Sequence, residues 1–333
     1  MEDVLYSIKN LTVEYQTRTG AVRAVDGVDL DIRRGEILGL VGESGCGKST
    51  LGKALMRLHT GPARISSGEL WFDGVDLMTL AERKLRQIRG RRIGMVFQDP
   101  MTSLNPVQRI VAHLTETMLT HQPGFSEEEA RERAEVLVER LGIRRERIDD
   151  YPHQMSGGMR QRVMISLALA LSCDLVIADE PTTSLDVIVE AKFLDLLKEL
   201  QREFNLTIVL ITHNIGVVAE VADRVAVMYA GHMAEAGDVY DVFATPKHPY
   251  TQGLLRSVPN IELNGGDLYQ MEGAPPNLVD PPPGCRFNPR CPHVMDVCHT
   301  TAPGFDRIDA EHPAHLAACW LYQTADARGA GRG

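Results

Sequence analysis

Three short stretches of this chain carry side chains whose types and spacing fit phosphate chemistry. Gly42-Glu43-Ser44-Gly45-Cys46-Gly47-Lys48-Ser49 matches G-x-x-x-x-G-K-[ST] and lies between an apolar run and a helical pattern. Its glycines let the backbone turn tightly, so that N–H groups and a helix N-terminus surround a polyphosphate. Lys48 adds a mobile positive charge, and Ser49, followed by Thr50, offers a hydroxyl to Mg2+. Farther along, Leu175-Val176-Ile177-Ala178-Asp179-Glu180 is an apolar strand closed by two acids. Asp179 suits Mg2+ held through water, and Glu180 suits orienting and polarising the water that attacks a γ-phosphate. Two acids after a strand are often only a turn, but after a phosphate loop they read as the second half of a nucleotide hydrolase. The third stretch, Met155-Ser156-Gly157-Gly158-Met159, opens an apolar helix. Alone it is a capping turn; its free N–H groups also form an anion site for a γ-phosphate already held by Lys48 of another subunit.

A fourth group lies near the far end. Cys285, Cys291, Cys298 and Cys319 follow the spacing C-x5-C-x6-C-x20-C. Four thiols this close suit a 4Fe-4S cluster or zinc, and free thiols in a reduced compartment are the remaining alternative. Zinc sites usually begin with C-x2-C pairs, which are missing. Nearby His293, His299, His312 and His315 read as solvated loop residues, Cys46 as a small residue tolerated in the phosphate loop, and Cys173 as a buried helix end.

The elements that must position these residues alternate. Leu5 to Tyr15, Val22 to Ile32, Ile37 to Gly42, Leu70 to Asp73 and Ile93 to Gln98 read as extended, with Lys48 to Leu58 helical. Between Gln98 and Ser156 the strand signals stop. Ser126 and Glu129 form a capping box, Ala130, Ala134, Leu137, Val138 and Leu141 recur at helical spacing, and Gly142 ends the pattern, which predicts a helical insertion. Strands resume at Asp174 to Asp179, Thr207 to Thr212 and Arg224 to Ala230, with a helix from Val189 to Leu200 between them. The fold class is therefore α/β, a mixed sheet feeding a parallel core. Ten of the 18 prolines lie beyond residue 250, so regular structure is expected to thin out there. The predicted organisation is a nucleotide-binding domain over 1–245 with its helical subdomain at about 99–156, a cysteine-bearing extension over 246–325, and a flexible tail over 326–333.

Composition narrows the function classes. With 333 residues, 44% hydrophobic and 24% charged, the chain is neither disordered nor collagen-like. A formal net charge of -10 argues against non-specific nucleic-acid binding, which needs a basic surface. No run approaches the roughly 18 apolar residues of a membrane span. The start lacks a basic region followed by an apolar one, so the expectation is an unexported chain in a reducing compartment.

Taken in order, these motifs resemble the ATP-binding cassette family from about Val4 to Pro259. The resemblance implies a P-loop ATPase with a helical subdomain, and it assigns further residues. Tyr15 stands where the family stacks an aromatic on adenine, Gln98 in the loop that senses Mg2+ and meets the membrane domain, and Ser156-Gly157-Gly158 as the signature. Ser184-Leu185-Asp186 stands as the D-loop and His213 as the switch histidine. Catalysis would rest on Glu180, His213 and Lys48, with ATP clamped between Gly42 to Thr50 of one cassette and Ser156 to Gly158 of another. Met155, Met159 and Asn214 depart from the commonest family pattern, and Asn214 stands where an acid is usual.

Phe97-Gln98-Asp99-Pro100-Met101-Thr102-Ser103-Leu104-Asn105-Pro106 and Pro246-Lys247-His248-Pro249-Tyr250 look like the oligopeptide, dipeptide and nickel importer branch, and the cysteine tail looks like that branch's C-terminal extension. This resemblance favours iron and sulfur over zinc, and a small Pro-rich segment without a large core, which gains most from a metal staple, favours a structural role over redox catalysis. It implies an ATPase with ATP and Mg2+, peripheral on the cytoplasmic side of the inner membrane. The implied partners are two transmembrane permease subunits, a second cassette that is commonly a different chain, and an extracytoplasmic solute-binding protein. Peptides are the expected cargo; a nickel or oligosaccharide importer and a soluble cassette acting on nucleic acid or ribosomes are the alternatives.

Overall fold

Runs of β-branched and apolar residues become strands, and four of these strands are covered on both faces. The strands are β1 (Val4–Thr17), β2 (Gly20–Arg33), β3 (Ile37–Val41), β4 (Ala63–Phe72), β5 (Val75–Asp76), β6 (Ile93–Val96), β7 (Leu175–Asp179), β8 (Thr207–Thr212), β9 (Arg224–Tyr229), β10 (His232–Asp238), β11 (Asp306–Arg307) and β12 (Leu316–Ala317). Every residue of β3, β7, β8 and β9 is buried, as their mainly apolar sequences require, and the polar residues Asp179, Thr207, Thr212 and Arg224 stand at strand ends. The computed structural model describes residues 3–18, 20–59, 61–98, 103–122, 124–183, 185–257, 271–308 and 312–323. Ser184 of the D-loop, residues 99–102 after Gln98 and the tail expected over 326–333 lie outside the described residues.

The chain forms two compact units, one of Met1–Ile32, Leu38–Met78 and Thr212–Gly333, the other of Arg33–Ile37 and Thr79–Ile211. In the first, β1 pairs antiparallel with β4, and Tyr6 and Phe72 pack with ring centroids 5.7 Å apart. β3 runs parallel to β9, which pairs antiparallel with β10. The phosphate-loop helix, Lys48–Leu55, buries Leu51, Ala54 and Leu55. In the second unit β6, β7 and β8 are parallel. Between Gln98 and Ser156 the described residues hold helices Ile110–His121 and Glu127–Arg140 and two 3-10 turns, with no strand. The capping box is present: Ser126 accepts from the Glu129 N–H at 3.2 Å, and the Glu129 carboxylate accepts from the Ser126 N–H at 2.8 Å. Gly142, at φ 73, follows that helix.

Among the described residues beyond 257 regular structure is sparse, as the prolines predict, but the extension is tied to the sheet of its unit more firmly than composition suggests. β12 pairs antiparallel with β10, Glu235 opposite Ala317 and Ala236 opposite Leu316. Here His315 corrects the expectation of a solvated side chain: it is 1% exposed, and its Nε2 donates to Glu235 Oε1 at 2.7 Å. Glu235 is fully buried and also accepts from the backbone N–H groups of Lys247 and His248. A buried carboxylate needs several donors to offset lost hydration, and residues of the extension supply all three. Burial pushes the His248 imidazole down to about 4, so its ring is neutral and Nδ1 accepts from the Tyr250 N–H at 3.0 Å.

Candidate nucleotide site

In the first unit, strand β3 delivers the chain into the phosphate loop, and the loop's shape depends on glycine. Gly47 caps the following helix at φ 108, a conformation that side chains rarely adopt, and no side chain caps that helix. The Lys48 side chain curls back over the loop and is buried. Its Nζ donates to the carbonyls of Gly42 at 2.8 Å and Glu43 at 3.0 Å and lies 3.8 Å from Cys46 Sγ. Burial raises the Cys46 thiol pKa, so a neutral S–H, not a thiolate, sits beside the ammonium. The Tyr15 hydroxyl lies 3.1 Å from Thr50 Oγ1, which ties the expected adenine-stacking residue to the helix behind the loop. His213 follows β8 and is exposed, and Asn214 caps the next helix by accepting from the Gly216 N–H at 3.0 Å. Helix capping accounts for an asparagine at that position.

In the second unit, β7 ends on Asp179, which is 4% exposed, and the chain then turns through Glu180 at φ 46. A left-handed conformation at a residue with a side chain costs about 1–2 kcal/mol and is held only where its surroundings fix it. The Glu180 N–H donates to Ile211 O at 2.9 Å, so the neighbouring strand β8 fixes its backbone. Its Oε2 accepts from Gln98 Nε2 and Thr183 Oγ1, both at 3.0 Å. Gln98 and Glu180 thus stand together, and Thr183 is a site residue that motif reading missed. The S/T-x-x pattern of caps was no guide to it, because its partner lies before it in the chain. Ser156 caps the helix Gly157–Leu169 and accepts from the Met159 N–H at 3.3 Å. A Cβ on Gly157 would meet nothing within 4 Å, whereas one on Gly158 would strike Val189 at 2.8 Å. The first signature glycine is therefore open to a ligand and the second is needed for packing. Asp186 caps the helix Val187–Phe204.

In the extension, Cys285, Cys291, Cys298 and Cys319 line one pocket with Phe287 and Trp320. Burial pushes the Cys285 thiol up to about 11 and Cys319 up to about 12, and the neighbouring cysteines push in the same direction. The expectation of a metal-binding tail is corrected in part. Among the described residues, no group of three or more His, Cys, Asp or Glu side chains is arranged to hold a metal ion. Zinc with four sulfurs at about 2.3 Å has no such group to bind it here.

Comparison with known proteins gives the same motifs their relatives. Residues 25–183 match the model of the ABC transporter family, and residues 234–298 match that of the oligopeptide/dipeptide transporter C-terminal region. The dipeptide transport ATP-binding protein DppD of Bacillus subtilis (strain 168) is 48% identical over 324 residues, covering 96% of this chain and 95% of that protein. The oligopeptide transport ATP-binding protein OppD of Salmonella typhimurium is 46% identical over 320 residues, 96% of this chain and 94% of that one. Among solved structures, the dimeric bacterial ABC transporter cassette MJ0796 superimposes with a TM-score of 0.64 at 31% identity, covering 70% of this chain and 98% of that one. The same cassette bound to ADP and Pi gives 0.64 at 30% identity, again over 70% and 98%. No helix among the described residues is long and apolar enough to cross a membrane.

Proposed function

The chain belongs to the ATP-binding cassette transporter family, and on that footing we propose that it is the ATP-hydrolysing subunit of an importer for dipeptides or oligopeptides. The observation that carries this reading is likeness through the whole length: the peptide-transport relatives match the extension as well as the cassette. The subunit works on the cytoplasmic face of the membrane with two permease subunits, a second cassette and an external solute-binding protein.

ATP binds to Gly42–Thr50 with its adenine on Tyr15. Lys48 exchanges its two carbonyl partners for phosphate oxygens, and the loop's N–H groups hold the rest of the charge. The hydroxyl of Ser49, the buried carboxylate of Asp179 and the amide oxygen of Gln98 are hard oxygen donors of the kind Mg2+ takes. When bound, that ion neutralises charge on the transferring phosphoryl group. Glu180 orients the attacking water and receives its proton, and His213 contacts the γ-phosphate. Ser156, Gly157, Gly158 and Asp186 act on the nucleotide of the partner cassette, so neither cassette is complete alone. Reconstituted with permease and binding protein, the complex is expected to hydrolyse ATP several-fold faster when the binding protein carries peptide. Stimulation by nickel or an oligosaccharide in place of peptides overturns the cargo assignment.

We infer that the four cysteines hold a 4Fe-4S cluster built around its own iron and sulfide, since no side-chain group among the described residues is preformed for a single ion. What supports this is their shared pocket and its all-sulfur donor set, which suits iron and sulfide better than a lone hard cation. The cluster supplies cross-linking: it staples a short proline-rich segment that has little core of its own. Anaerobic purification is expected to give brown protein with about four irons and four sulfides per chain, and Cys291→Ser to lose the colour. Colourless protein without iron or sulfide sinks the assignment.

A further inference from the structure

Between the first two cysteines of the extension runs Cys285-Arg286-Phe287-Asn288-Pro289-Arg290-Cys291, and three of its side chains reach back to the phosphate loop or its support. Arg290 is the most direct. Its side chain is 5% exposed and pairs with Glu43 through two bonds, Nη1 to Oε2 at 2.9 Å and Nη2 to Oε1 at 3.0 Å. Nη1 also donates to the Tyr229 hydroxyl at 3.2 Å, and Nε to Glu272 O at 3.0 Å. Glu43 is the second residue of the phosphate loop. Its N–H donates to the Tyr250 hydroxyl at 2.9 Å, and its carbonyl accepts from Lys48. The residue is therefore tied at its backbone and at its carboxylate, and the carboxylate tie comes from the extension.

The other two side chains act on what lies behind the loop. Arg286 donates to Ala230 O and pairs with Asp26. The adjacent Gly231 N–H donates to Cys46 O at 2.9 Å, so Arg286 holds the turn on which the middle of the phosphate loop rests. Phe287 is 2% exposed and packs against Tyr229 and Tyr250, with centroids 5.2 and 5.6 Å away. A paired, planar guanidinium fixes its partner in angle as well as distance, which a lysine ammonium does not.

We propose that the Cys285–Cys291 loop is a positioning element of the nucleotide site, in which Arg290, acting through Glu43, holds the phosphate loop in its ATP-receiving shape and so makes ATP affinity depend on the state of the cysteine pocket. Arg290 does not touch the reacting atoms; it is a positioning residue. The inference rests on the phosphate loop being the ATP site, and Lys48→Ala in the same assay tests that premise separately.

The experiment is equilibrium titration of the full-length chain with a fluorescent ATP analogue and Mg2+, beside ATP turnover at saturation. Arg290→Ala is expected to weaken binding about 5- to 100-fold, the usual range for coupling between two sites. Turnover at saturating ATP stays within about twofold of the unmodified chain, because the reacting groups are untouched. Arg290→Lys restores only part of the affinity. Cys291→Ser weakens binding in the unmodified chain and has no further effect beside Arg290→Ala, since both cut the same connection. If Arg290→Ala does not fold, Glu43→Gln, which keeps the side-chain volume and halves the pairing, is expected to weaken binding in the same range, and it is read by affinity alone. Unchanged affinity in the arginine or glutamate variant overturns the proposal, as do additive losses in the double variant. Unchanged affinity in Lys48→Ala instead removes the premise.

Discussion

Glu180→Gln is expected to lower steady-state ATP turnover by a factor on the order of 100 to 10,000, the range for removing a positioned general base, while ATP binding survives. Glutamine matches glutamate in volume and can still accept from Gln98 and Thr183, which now meet Oε2 at 3.0 Å. It cannot take a proton from water. The backbone at φ 46 is equally strained with either residue, so the substitution leaves the turn after β7 as it was. The two measurements are phosphate release at saturating ATP and gel filtration with ATP and Mg2+. A cassette that binds but does not hydrolyse accumulates as a nucleotide-bound dimer, so slow turnover comes with a shift to twice the mass. Unchanged turnover takes the catalytic role away from Glu180, and lost turnover without ATP-dependent association points to damage of the fold around β7.

Which features were legible in the sequence follows from how local each one is. The phosphate loop, the capping box at Ser126 and the buried strands β3, β7, β8 and β9 are contiguous patterns, and each appears where its residues require. The strand β10 and its pairing with β12 were not legible, because Glu235 interrupts an otherwise small and apolar run with a carboxylate. Only the fold supplies that carboxylate with His315, 80 residues on, and with two backbone donors 12 and 13 residues on. His315 was misread for the same reason: a histidine in a proline-rich stretch looks exposed until its partner is known. Within the site, Asp179 and Glu180 were found as a pair, but the left-handed turn that separates them was not, since nothing in the residue types announces a positive φ at glutamate. Tyr250 was seen only as part of a motif, and Arg290 only as one of the five residues between Cys285 and Cys291. Their tie to Glu43 spans more than two hundred residues of sequence, |i−j| being 247 and 207, and is visible only in three dimensions.

Gly47→Ala is expected to abolish ATP binding, weakening it by about a hundredfold or more, for two reasons that add. The residue sits at φ 108, where a Cβ is strained whatever the space around it. The space is also occupied: a Cβ there would stand 2.0 Å from the carbonyl oxygen of Ala24 and 2.8 Å from Met228 Cε. Methionine can swing aside, but a backbone carbonyl in β2 cannot without breaking its strand. The helix Lys48–Leu55 begins at this residue, so any adjustment displaces Lys48 and Ser49, the two side chains assigned to the phosphates and Mg2+. Gly45 supplies the internal comparison. It too has positive φ, at 79, but nothing lies within 4 Å of its added Cβ. Gly45→Ala is therefore expected to bear the conformational cost alone, about 1–2 kcal/mol, or roughly five- to thirtyfold in affinity if all of it falls on the bound loop. Titration of both variants with a fluorescent ATP analogue, beside their thermal unfolding, separates the two terms. Equal losses in the two variants mean that the Ala24 carbonyl does not confine the loop. A much larger loss at Gly47, with both proteins still folded, means that the clash and not the dihedral alone sets the requirement for glycine.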